Sequence, residues 1–160
     1  MTKHVVSFQL GDRPVDVLIE PMTTLQIVLR EHLGYTGAKD GCRQGGCGSC
    51  TVLVDGEPYI SCLLPLEDVA GRRIDTVETM TPVDGVSVIQ QAFLAHNALQ
   101  CGYCTPGFVM VATALLERIA EPDEDQIFEA LGGNYCRCTG YRPIVDAIAA
   151  ASEAMKEVNG

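Results

Sequence analysis

Ten residues, Gly41 to Cys50, read Gly-Cys-Arg-Gln-Gly-Gly-Cys-Gly-Ser-Cys and constrain this chain more than any other stretch. Cys42, Cys47 and Cys50 follow a C-x4-C-x2-C spacing, and Cys62 comes next after a strand-like run. Four thiolates at this spacing suit one 2Fe–2S cluster. The glycines at 41, 45, 46 and 48 fit that reading, because a loop wrapped around an inorganic core needs left-handed backbone positions and bare backbone. Its amide N–H groups can then point inward at anionic sulfur. The stretch points to electron transfer.

Composition narrows the setting. The chain has 160 residues, 8 cysteines and a formal charge of −10. That charge argues against nucleic acid or anionic lipid as a partner. No run approaches the roughly 18 consecutive apolar residues of a membrane span. Met1-Thr2-Lys3-His4-Val5 leads straight into strand-like alternation with no apolar signal core, which predicts a cytoplasmic location. Cysteines in such a chain are expected as metal ligands rather than as a disulfide framework.

The order of elements predicts an α+β chain. Residues 5–10 and 15–19 alternate around Gly11-Asp12 and predict a hairpin. Thr23 or Thr24 is expected to cap a helix through Leu25, Val28, Leu29 and Leu33, closed by Gly34. Thr51–Val54 and Tyr59–Leu63 flank an Asp55-Gly56 turn, and Arg73–Val77 offers a last strand. This predicts a plant-ferredoxin-like β-grasp domain over 1–78. Thr79–Gly85 is loop-like and is the expected boundary. Beyond it, Ser87-x-x-Gln90 and Asp123-x-x-Gln126 match capping boxes, Thr105-Pro106 starts a helix, and Pro143 opens the last one. The first of these helices is expected to carry Val88, Ile89, Phe93 and Leu99. Four helices with short connections predict a four-helix bundle over 79–160.

That second half carries its own cysteines. Cys101 and Cys104 form C-x2-C, Cys136 and Cys138 form C-x-C, and each pair precedes a helix start. Unpaired N–H groups and the helix dipole favour negative charge there. Taken alone, the set suits structural zinc as well as iron–sulfur, and a C-x2-C before a helix also matches a thioredoxin-type redox pair. The neighbouring glycine-rich loop tips the balance towards iron.

Gln100-Cys-Gly-Tyr-Cys-Thr-Pro-Gly107 and Gly133-Asn-Tyr-Cys-Arg-Cys-Thr-Gly-Tyr-Arg-Pro143 closely resemble the iron–sulfur subunit of the xanthine dehydrogenase family of molybdenum hydroxylases. The resemblance covers nearly the whole chain. It implies two 2Fe–2S clusters, an outer one on Cys42, Cys47, Cys50 and Cys62 and an inner one on Cys101, Cys104, Cys136 and Cys138. It also implies a large partner subunit carrying molybdopterin, in a dinucleotide form, which Gln100 and Cys138 would contact. On the outer side it implies a flavin-binding medium subunit with FAD, or another acceptor. The chain would then be an electron relay of a hydroxylase complex, with no catalytic residue of its own. Tyr135 stands where leucine is frequent in the family, and Arg43-Gln44 where an acidic or other residue is common. The rival readings are a free-standing two-cluster ferredoxin and a zinc-stapled interaction module.

Overall fold

The computed structural model describes residues 2–159. Its first half is a five-stranded sheet in the order β2-β1-β5-β3-β4, built from β1 (His4–Leu10), β2 (Arg13–Ile19), β3 (Thr51–Val54), β4 (Glu57–Ile60) and β5 (Arg73–Asp75). The β1–β2 hairpin pairs His4 with Ile19 and Leu10 with Arg13, so Val6, Phe8 and Leu10 share one buried face while Val5 and Ser7 point outward. β5 runs parallel to β1 and antiparallel to β3, and so closes the sheet between the two hairpins.

One helical segment covers the buried face. Thr24 caps it by accepting from the Ile27 N–H, and it inserts Leu25, Val28 and Leu29 into the core. It holds α geometry only over α1 (Leu25–Ile27) and then widens into a π-helical turn, Val28–His32, where the Leu33 N–H reaches back to the Val28 carbonyl. The expected regular helix is corrected here.

The return strand is corrected as well. β4 ends at Ile60, and Ser61–Leu63 form a 3-10 turn rather than more strand. Ser61 donates its hydroxyl to the Cys50 carbonyl at 2.7 Å, which draws the chain in and brings Cys62 beside Cys50.

In the second half, α2 (Val88–Ala95), α3 (Thr105–Arg118), α4 (Glu124–Leu131) and α5 (Arg142–Asn159) enclose a separate core around Phe93, Phe108, Ile127, Ile144 and Ile148. Both expected capping boxes are present, Ser87 with Gln90 and Asp123 with Gln126. α2 stops before Leu99. Asn97 takes a positive φ of 51° and the Ala98 N–H closes onto the Phe93 carbonyl, a C-terminal cap made by Asn in the role of glycine. α3 begins on Cys104 rather than on a Thr105 cap, and Thr105 and Pro106 fall in its first turn.

α3 positions everything that follows. Gly107 to Leu116 are buried without interruption, as befits a helix with neighbours on all sides. Phe108, Val111, Ala112 and Leu115 face the other helices, while Met110 and Ala114 pack on Leu53 of β3. The fold is therefore mixed α+β, with a ferredoxin-like sheet joined to helices through α3. Among the described residues, no helix is long and apolar enough to cross a membrane.

Candidate metal centres

The glycine-rich loop turns on three left-handed positions, Arg43 (φ 54°), Gly45 (φ 75°) and Gly48 (φ 67°). These turns aim backbone N–H groups at sulfur. Cys42 accepts from Gln44, Gly46 and Cys47, and Cys62 accepts from Gly45. The Gln44 N–H is the largest influence in drawing the Cys42 thiol down to about 7, aided by the Cys47 side chain. Burial pushes Cys62 up to about 11, with the neighbouring Cys50 thiol adding to it. The four cysteines thus stand as two pairs, Cys42 with Cys47 and Cys50 with Cys62. A Cβ on Gly41 would lie 2.9 Å from the Cys47 sulfur and nearer still to the Ser49 hydroxyl, so only bare backbone fits against that side of the loop. The Ser49 hydroxyl sits 3.0 Å from the same sulfur.

The inner cysteines converge from segments far apart in sequence. Cys104, at the head of α3, is pushed up to about 12 by burial and by the adjacent Cys136. For Cys136, burial acts to raise the thiol but is outweighed by the Thr139 hydroxyl and the N–H groups of Thr139 and Cys138, and the net shift is downward. Cys101 and Cys138 form the other pair at 3.7 Å, and both are exposed. Gln100 is exposed beside Cys101. Cys136 and Cys138 stop one turn short of α5, and Tyr141, at φ 69°, makes the connection.

Several residues with no assigned role in the sequence hold this arrangement. The Tyr141 hydroxyl accepts the Cys136 N–H at 3.0 Å and donates to the Asn134 carbonyl at 3.3 Å. Its ring meets Phe108 edge-on at 6.1 Å. Asn134, 7% exposed, donates its side-chain amide to the Gly48 carbonyl at 3.0 Å, and the Tyr135 N–H donates to the Cys47 carbonyl at 3.0 Å. Tyr103 reaches across to the Asp40 carbonyl at 2.8 Å. Backbones touch here: a Cβ on Gly48 would lie 2.5 Å from the Gly133 carbonyl, and one on Gly107 would strike the Gly48 carbonyl. The segments that carry the two cysteine sets are therefore in direct contact, around a crevice of about 220 Å³ lined by Cys47, Cys101, Cys104 and Cys138. The signal for these residues lay in the Gln100-to-Gly107 and Gly133-to-Pro143 motifs, but the contacts that reach the glycine-rich loop are long-range and have no local pattern.

Paired thiols suit a two-iron core, in which each iron takes two thiolates. Among the described residues, no three His, Cys, Asp or Glu side chains gather as for a lone metal ion. The N–H groups aimed at sulfur and the bare Gly41 backbone fit an anionic cluster. His4 approaches Glu67 at 3.4 Å, and His32 and His96 are exposed. The apolar cavity of about 360 Å³ beside Phe93 and Leu94 is lined by no titratable group.

Similarity to known proteins agrees with this chemistry. A family described as a 2Fe-2S iron-sulfur cluster binding domain matches residues 2–99, and one described as a [2Fe-2S] binding domain matches residues 76–149. The nicotine 6-hydroxylase small subunit of Paenarthrobacter nicotinovorans is 44% identical over 156 residues, which cover 97% of this chain and 93% of that one. The crystal structure of quinoline 2-oxidoreductase from Pseudomonas putida 86 superposes with a TM-score of 0.93 at 40% identity, covering 98% of both chains. The aldehyde oxidoreductase of Desulfovibrio desulfuricans superposes equally well, with a TM-score of 0.93 at 35% identity, but there 96% of this chain matches only 17% of a longer one. The chain belongs to the family of small 2Fe–2S iron–sulfur subunits of the molybdenum hydroxylases.

Proposed function

We infer that this chain passes electrons, one at a time, from a molybdopterin site on a large subunit to an acceptor on the far side of the complex. Cys101, Cys104, Cys136 and Cys138 would hold the inner cluster, and Cys42, Cys47, Cys50 and Cys62 the outer one. When bound, each 2Fe–2S cluster supplies a one-electron redox centre. The chain's own part is spacing, burial and hydrogen bonding. In this reading the chain divides at residues 78 and 79 into a β-grasp domain and a four-helix bundle. Gln100 and Cys138 would meet the pterin, since a side-chain amide offers both donors and an acceptor to a heterocycle edge. A flavin-binding medium subunit would take the electrons from the outer side, in the cytoplasm.

The observation that carries the reading is the direct join between the cysteine sets. The Tyr135 N–H, one residue before Cys136, bonds the carbonyl of Cys47. Only that hydrogen bond and a few covalent bonds separate the two sets. A second feature favours a subunit over a free-standing ferredoxin: Cys101, Cys138 and Gln100 share one exposed edge, together with half-exposed Tyr103 and Tyr135. A permanent partner would cover it.

Purification of the chain from its native source, with metal and sulfide analysis, tests this. About four irons and four labile sulfides per chain, together with a co-purifying molybdopterin subunit, are expected. A stable monomer without pterin would contradict the relay reading, and zinc without visible absorption would end the redox one.

A further inference from the structure

Thr139 is the residue whose geometry reaches beyond holding cysteines in place. Its hydroxyl oxygen lies 3.1 Å from the Cys136 sulfur, and its backbone N–H lies 3.5 Å from the same atom. That hydroxyl also accepts the Tyr141 N–H at 3.2 Å. With a lone pair used in this way, the hydroxyl proton is left to point at sulfur. Tyr141 is itself fixed by the bonds of its own hydroxyl to Cys136 N–H and Asn134 carbonyl, and by its edge contact with Phe108. The donor is thus pre-aimed by contacts that do not depend on a ligand, and Cys136 is 6% exposed. At such a buried site water does not compete for the sulfur and the local field is strong.

We propose that Thr139 is a positioning residue that raises the reduction potential of the inner cluster by donating a hydrogen bond to the Cys136 thiolate. The proposal rests on the reading that Cys101, Cys104, Cys136 and Cys138 hold a 2Fe–2S cluster. Its physical basis is differential stabilisation. Taking up one electron adds one negative charge, part of which spreads onto the thiolate sulfurs. A donor at sulfur therefore stabilises the reduced form more than the oxidised one. Removing the hydroxyl should make the inner cluster harder to reduce, while leaving the outer cluster unmoved. The donor of the electron is the substrate-oxidising centre of the large subunit, and the next acceptor is the outer cluster.

The test is an EPR-monitored redox titration of the intact complex, comparing wild type with Thr139→Val, Thr139→Ala and Thr139→Ser. The outer cluster serves as an internal reference. The two variants lacking the hydroxyl should shift the inner potential downward by up to about tenfold in the one-electron equilibrium constant, or about 59 mV. Thr139→Ser should restore the wild-type value. An unchanged inner potential in Thr139→Val or Thr139→Ala would overturn the proposal. Equal shifts of both clusters would do so too, since that would indicate a general loosening of the fold. Loss of the inner signal in both, with Thr139→Ser intact, would mean that the hydroxyl assembles the cluster rather than tunes it, and this also overturns the proposal. Absence of a second 2Fe–2S signal in the wild type would instead sink the underlying cluster assignment.

Discussion

In the outer cysteine set, three thiols lie within one glycine-rich loop and the fourth waits at the end of the following hairpin. In the inner set, Cys101 and Cys138 meet across 37 residues of sequence and Cys104 meets Cys136 in the same way. The outer set relies on local backbone geometry: left-handed turns at Arg43, Gly45 and Gly48 aim N–H groups at Cys42 and Cys62. The inner set relies on tertiary packing, through α3, Tyr141 and Asn134. Local construction makes the outer loop recognisable and robust. Non-local construction makes the inner set dependent on the fold around it, and gives it the exposed edge with which a partner could dock.

The sharpest way to break that comparison is Cys47→Ser. The outer set should lose its cluster while the inner one survives, since the Tyr135 bond uses the Cys47 backbone rather than its sulfur. About half of the iron should disappear, with one EPR signal remaining. Loss of both clusters would show that the two sets are not independent units.

Next in size is Gly107→Ala. In an ordinary helix this change gains up to about 1 kcal/mol. Here the new Cβ would strike the Gly48 carbonyl, a backbone atom that cannot swing aside, and overpacking of this kind costs about 1–3 kcal/mol. The net effect should be destabilising in urea denaturation. A gain in stability would mean that α3 and the glycine-rich loop are not in close contact.

Asn134→Ala should be milder. The Gly48 carbonyl keeps its bonds from the Thr51 N–H and hydroxyl, so about 1 kcal/mol is expected. The same variant should weaken the magnetic splitting between the two cluster signals. An unchanged splitting would remove Asn134 from the join.

The smallest effect lies in the sheet half, away from both sets. Asp55 accepts from Arg72 and from the Arg73 N–H, and these hold its carboxyl below the ordinary 3.8. Its contribution is complete above that value and is lost as the pH falls through the lower folded one. Because both side chains are substantially exposed, it should amount to less than about 1 kcal/mol. Asp55→Asn should therefore be slightly less stable than wild type at neutral pH and equal to it once both are fully acidified. A difference that persists in acid would point to a change in the turn itself.

The outer set was legible because its causes are local. Cysteine spacing, glycine placement, the Gly11 and Asp55-Gly56 turns and both capping boxes are short-range patterns, and each reappears in the structure. The exceptions are positions where tertiary demands override local preference. The segment after Thr24 widens at Val28, where the Leu33 N–H reaches back to the Val28 carbonyl, and β4 ends early so that Cys62 can approach Cys50. The cysteine pairs of the second half were also visible, but the parts that join them were not. Asn134, Tyr135 and Tyr141 lie inside a motif that was already conspicuous. Their roles depend on Gly48, Cys47 and Phe108, which no spacing rule connects to them.

The central claim is that this chain carries two clusters in distinct surroundings, joined closely enough to exchange electrons. EPR spectroscopy of the reduced complex tests it most directly. The account predicts two spin-half signals of about one unpaired spin each, with different line shapes and a mutual magnetic splitting. A single signal, or two that show no splitting, would contradict it.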